Sequence, residues 1–153
     1  MIYGLYEAHL HVTNLERAAE FYEKVLGLKL GHHEEKRRAN FYFFDENKNH
    51  MLGVWEIAPE QFRREHVAFH STVEDIKRAA AFFDEHGIET RNFDNTGKTP
   101  LKVIAWMPAI SIFFKDPDGH SLEMLAMLPD EPKPELGVVP WAEWEAMHGR
   151  ELT

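Results

Sequence analysis

Apolar and polar positions alternate along this chain with two periods, and the switches between them lay out its elements. Over residues 3–12 the period is two, which predicts a strand with Glu7, His9 and His11 on one face and Ala8, Leu10 and Val12 on the other. The period then lengthens. Leu15, Ala18, Ala19, Tyr22, Val25 and Leu26 fall at helical spacing behind Asn14, a residue suited to cap a helix, and Gly27 ends the run. Residues 28–35, 40–44 and 51–57 return to strand patterning, and Pro59 closes the block. A second block repeats the plan: a strand over 66–71, Thr72 as cap, a helical stripe of Ile76, Ala79, Ala80 and Phe83, a stop at Gly87, then strands over 88–93, 110–115 and 121–127 with a polar loop over 94–100. Glu7 to Thr13 lies over His66 to Thr72, and Gly27 over Gly87, with a one-residue slip. The chain therefore reads as an α+β protein of two βαβββ modules, 1–60 and 61–128, that combine into one barrel-like cup.

The last two strands flank Asp116-Pro117-Asp118-Gly119, where the proline suits the second position of a type I turn and the glycine a position of positive φ. They form a predicted hairpin. Its second strand puts Ser121, Glu123 and Leu125 on one face, so Glu123 is an acid in a strand that is otherwise built to be buried. A buried carboxylate costs several kcal/mol unless it is paired or bound to a metal. Glu123 needs a partner.

Composition narrows the setting. With 153 residues, 44% of them hydrophobic, the chain fills one core, and 17 basic against 26 acidic groups leave a net charge of −9. The one basic run, Lys36-Arg37-Arg38, is too short to hold a phosphate backbone, so nucleic acid and anionic membrane surfaces are not expected partners. No cysteine is present, no apolar run has membrane-spanning length, and a strand-like segment follows Met1, so a cytoplasmic location is expected. Beyond Leu128 the composition changes: residues 129–153 hold a proline-rich acidic linker and a short helix from Pro140, with Trp141, Trp144 and His148 on one side. These tryptophans either cover bare core or a subunit seam, or serve as a lid.

If the modules pair as their repeat suggests, Glu7 and His66 occupy equivalent positions and both face the cup, and Glu123 joins them from the last strand. An imidazole between two carboxylates suits a divalent cation with open positions for water or substrate oxygens. Each residue alone has a plainer reading: Glu7 as a surface carboxylate, His66 as a hydrogen-bonded histidine, Glu123 as the partner of an arginine. The same parity brings Met51, Trp55, His70, Ser111 and Phe113 to the cup as a substrate pocket, and makes His9 or His11 the proton shuttle, with Glu7 a further candidate base.

Several motifs carry a resemblance. The opening Glu7-x-x-Leu10-x-Val12-x-Asn14-Leu15, the helix end Phe21-Tyr22-x-x-x-Leu26-Gly27, the run His66-Val-Ala-Phe69 and the sequence Asp116-Pro-Asp-Gly-His-Ser-Leu-Glu123 resemble the vicinal oxygen chelate superfamily over residues 3–128. That group includes glyoxalase I, fosfomycin-resistance thiol transferases, extradiol dioxygenases and bleomycin-resistance proteins. The resemblance implies metal ligands at Glu7, His66 and Glu123, one divalent ion (Mn, Ni, Zn or Fe), and a homodimer whose sites draw on both subunits. It implies a glyoxalase-like lyase or isomerase acting on a small molecule with adjacent oxygens. The alternatives are a bleomycin-resistance-type binding protein without catalysis and a thiol transferase of the fosfomycin-resistance type. Three departures are visible: Gly53 stands where glyoxalase I has a fourth ligand, Glu7 replaces a dioxygenase histidine, and Phe113 and Pro132 replace residues that serve a phosphonate.

Overall fold

In the first block the predicted alternation becomes β1 (Glu7–Val12), with Leu10 and Val12 fully buried, in a computed structural model that describes residues 1–151. Asn14 caps α1 (Leu15–Ala19) by accepting the Arg17 N–H at 2.7 Å. The expected single helix instead widens into a π-helical segment, Glu20–Val25, where the Leu26 N–H reaches back five residues to Phe21. Phe21 and Tyr22 are buried side by side there. Then β2 (Lys29–Glu34), β3 (Ala39–Phe43) and β4 (Met51–Glu56) complete a mixed sheet in the order β1-β4-β3-β2, with β1 and β4 parallel. Gly31 sits at a bulge in β2 where a Cβ would come within 2.2 Å of the Phe43 ring, so no other residue fits without displacing it.

The chain divides into two compact units, Met1–Glu65 with Asp116–His120, and His66–Lys115 with the remainder from Ser121. In the second unit, β5 (His66–His70) leads to Thr72, whose hydroxyl accepts the Asp75 N–H and caps α2 (Val73–Glu85). Ile76, Ala79 and Phe83 form the buried stripe, and the Phe83 ring stacks on Phe114 with centroids 4.3 Å apart. Residues 88–93 do not form the expected strand. They contribute one bridge, Arg91 to Phe113, and the next strand is β6 (Lys102–Ile104), which flanks the hairpin of β7 (Ala109–Lys115) and β8 (Ser121–Met127). Strand patterning over 88–93 thus yields a single bridge, while the three-residue β6 is too short for alternation to mark.

The tail is part of the second unit's core. β9 (Val138–Pro140) pairs with β6 and extends the order to β5-β8-β7-β6-β9. α3 (Trp141–Met147) then buries Trp144 completely, with its indole N–H donating to Asp130 Oδ2 at 2.7 Å. The tryptophans cover core, and the lid reading is not what the structure shows. The architecture is α+β with two mixed sheets. Among the described residues no helix is long and apolar enough to cross a membrane.

Candidate functional site

The face of the first sheet turned away from its helix carries Glu7, His9 and His11 from β1, directly opposite Met51, Gly53 and Trp55 of β4. Glu7 Oε1 lies 2.7 Å from His9 Nε2. An ionised carboxylate only accepts, so that ring nitrogen carries the hydrogen and neutral His9 keeps its lone pair on Nδ1. Gly53 is required by this arrangement: a Cβ there would lie 2.7 Å from His9 Cδ2 and 2.9 Å from Trp55 Nε1. The two rings pack at 5.2 Å, Phe41 meets Trp55 edge-on at 5.5 Å, and the Arg37 guanidinium lies 4.9 Å from the Trp55 centroid. Trp55 Nε1 is buried without a partner. His11 Nδ1 stands 3.4 Å from Glu65 Oε1.

On the second sheet the equivalent face carries His66, Ala68 and His70 of β5 opposite Ser121, Glu123 and Leu125 of β8, with Phe113 and Ser111 of β7 opposite Glu123 and Leu125. Glu123 is 5% exposed. Its Oε2 lies 3.2 Å from His66 Nε2, while Oε1 has no partner at all, and neither has the buried Ser111 Oγ. His66 Nδ1 is 2.9 Å from the Ser121 carbonyl oxygen. Because a carbonyl only accepts, Nδ1 holds the hydrogen, and a neutral His66 turns the lone pair of Nε2 toward a carboxylate. Two acceptors face each other. A cation between them, or a proton, resolves that contact, and a histidine that donates its second nitrogen to a backbone carbonyl is the usual form of a metal ligand.

The Asp-Pro-Asp-Gly turn belongs with the first unit and is held there by a network that the sequence reading did not assign. Asp116 Oδ1 accepts the N–H groups of Asp118, Gly119 and His120 at 3.1, 2.8 and 2.8 Å, and its Oδ2 accepts the Tyr22 hydroxyl at 2.9 Å. Burial, reinforced by the Asp116 charge, pushes the Tyr22 phenol well above its ordinary range and keeps it a donor. For Asp118, burial pushes the carboxyl up, but bonds from the Thr13 hydroxyl and N–H and from Arg17 outweigh it and hold the group below its ordinary value. His120 is wholly buried, accepting the Glu65 N–H on Nδ1 at 3.0 Å and donating from Nε2 to the His11 carbonyl at 2.7 Å. The signal was the motif itself, whose polar residues exceed what a turn alone needs.

The structure thus brings His66 together with Glu123, and Glu7 together with His9. Among the described residues no group of three or more His, Asp or Glu side chains stands together to hold a metal ion. Glu7, His9, His11, Met51 and Trp55 share one face of the first sheet, and His66, His70, Ser111, Phe113 and Glu123 share one face of the second. Arg91, with its guanidinium 4.6 Å from the Phe113 centroid, joins the second face unannounced by any pattern in the sequence, because it lies in a segment that pairs at a single bridge.

Comparison with known proteins places these features. A family profile described as the Glyoxalase/Bleomycin resistance protein/Dioxygenase superfamily matches residues 5–124. An integron cassette protein from the mobile metagenome of a Halifax Harbour sewage outfall is 30% identical, covering 82% of this chain and 100% of its own, with a TM-score of 0.69. The fosfomycin resistance protein FosX from Listeria monocytogenes is 19% identical over 84% of this chain and 97% of its own, with a TM-score of 0.63. Lactoylglutathione lyase from Agrobacterium tumefaciens is 17% identical over 80% and 92%, with a TM-score of 0.60. These last two share the fold. No curated protein matches the sequence.

Proposed function

The chain belongs to the Glyoxalase/Bleomycin resistance protein/Dioxygenase superfamily, and on that premise we propose that it is a divalent-metal-dependent enzyme of the glyoxalase-like lyase or isomerase type, acting on a small molecule with two adjacent oxygens. One observation carries this reading: His66 Nε2 stands 3.2 Å from the buried Glu123 carboxylate, whose second oxygen has no partner. A buried carboxylate in that state costs several kcal/mol that a bound cation removes. A mutant of Listeria FosX, 21% identical, is known in complex with Mn(II) and 1S,2S-dihydroxypropylphosphonic acid, a ligand with two adjacent hydroxyls. His66 and Glu123 supply two ligands, and Glu7 of a second copy of this chain is proposed as the third. The protein is accordingly a homodimer with sites shared between subunits.

Bound there, the metal supplies Lewis-acid stabilisation of a developing oxyanion. The chain's own residues do the rest. His66 is fixed in orientation and tautomer by the Ser121 carbonyl. Phe113 and Leu125 flank Glu123 across the β7–β8 ladder and its neighbouring position, and limit the water that reaches its carboxylate. His9 of the same second copy, oriented by its Glu7, would present Nδ1 as the base that removes or returns a proton, and His11 is the second candidate for that role. Trp55 and Phe41 of that copy would form an apolar wall for the substrate body.

A screen of hemithioacetals, epoxides and vicinal diols with Mn(II), Ni(II), Zn(II) or Fe(II) tests the proposal. Metal-dependent turnover is expected, lost in Glu123→Gln and reduced about 100-fold or more in the His9→Ala/His11→Ala double variant. Turnover untouched by the double variant removes the shuttle. A protein that takes up no metal is instead a small-molecule binder of the bleomycin-resistance type.

A further inference from the structure

Arg91 is a cation without a carboxylate. In the second unit Arg78 and Arg150 each reach an Asp or Glu side chain, whereas Arg91 forms no ion pair among the described residues. Its backbone bridges Phe113 through a pair of 2.9 Å hydrogen bonds, which puts its side chain on the face that carries Glu123. There the guanidinium lies 4.6 Å from the Phe113 ring centroid and donates one hydrogen bond, Nη2 to Ser121 Oγ at 3.3 Å. A guanidinium has five N–H donors in a planar fork, so most remain for a ligand. The same Phe113 ring stacks against His66 at 6.1 Å, so the cation and the imidazole both contact one ring. Phe93, 41% exposed, meets Phe113 edge-on at 6.2 Å and adds an apolar wall beside the charge.

We infer that Arg91 is an anion anchor and that the substrate of this site is an organic acid. Its carboxylate is held by the Arg91 fork, and its two adjacent oxygens lie on the same sheet face at His66 and Glu123. The second half of this statement rests on the metal reading above, while the first does not. A carboxylate matches the guanidinium in planar, two-point geometry, and the contact with Phe113 restrains the side chain before any ligand arrives.

Titration of isotope-labelled, metal-free protein with benzoate and with benzamide tests the anchor, followed through the arginine Nε–H and backbone amide signals. Benzoate is expected to shift Arg91, Ser121 and Phe93 and to bind roughly tenfold tighter than its neutral counterpart. Arg91→Gln, planar but uncharged, is expected to abolish that preference, and Arg91→Lys to keep part of it. Equal binding of the two probes, or an unchanged preference in Arg91→Gln, overturns the anchor. The metal half is read separately. With Mn(II) present, 3,4-dihydroxybenzoate is expected to bind tighter than without it, and this gain disappears in Glu123→Gln. If Mn(II) changes nothing while the benzoate preference persists, the metal reading fails and the Arg91 anchor stands.

Discussion

His9 opposite Gly53 in the first sheet and Ala68 opposite Glu123 in the second are the same row of one repeated plan, filled in opposite ways. In the first sheet the outer strand contributes the large polar side chain and the inner strand contributes nothing, because the His9 ring occupies the space of a Cβ at Gly53. In the second the outer strand is reduced to alanine and the inner strand carries the carboxylate. A parallel ladder places such residues side by side, and in this one row a single large group fills the space in each sheet. The exchange separates two tasks. The second sheet presents an acid with an unmet valence, and the first presents an imidazole already oriented by Glu7. The second unit also carries β9, α3 and the fully buried Trp144, for which the first has no counterpart.

The largest expected effect comes from breaking that addition. Trp144→Ala removes a buried indole and its bond to Asp130, and a loss of about 3–5 kcal/mol is expected in urea unfolding. Next is a transplant of the second sheet's row into the first. Gly53→Glu drives a side chain into His9 and should cost about 1–3 kcal/mol, whereas His9→Ala/Gly53→Glu should recover at least about 1 kcal/mol of it. No recovery would mean that His9 is not what fills the row.

Acid sharpens the comparison further. Asp130, bonded by Arg150 and then by Trp144, has its pKa lowered from 3.8 to about 2. Since the folded value is the lower one, this stabilisation is complete above pH about 4 and is lost as pH falls toward 2, an effect on the order of 2 kcal/mol. An Asp130→Asn variant should show a shallower loss of stability over that window. A last, smaller signal concerns the proposed dimer. Glu7→Gln and Glu123→Gln chains, each without metal, should regain about a quarter of the parent's metal sites when unfolded and refolded together, and none if each site lies within one chain.

Much of this was legible in the chain. Alternation located β1, β4, β5, β7 and β8, and with them the faces carrying Glu7, His66 and Glu123, because side-chain parity follows directly from sequence position. The need of Glu123 for a partner was also readable, since an acid inside an apolar strand is a physical conflict wherever it occurs. Residues 88–93 are patterned as a strand yet pair at one bridge only, and β6 is missed because a three-residue ladder shows too little alternation. The network around Asp116, Asp118 and His120 depends on partners such as Thr13 and Tyr22, which are distant in sequence. Nothing local announces those pairs.

The central claim is that His66 and Glu123 hold a divalent cation. Mn(II) titration of chelator-treated protein, with elemental analysis of the product, tests it most directly, with Glu123→Gln and His66→Ala alongside. The account predicts about one metal ion per parent chain and at least roughly tenfold weaker binding in either variant. Glu123→Gln binding Mn(II) as tightly as the parent, or a parent that binds none, would contradict it.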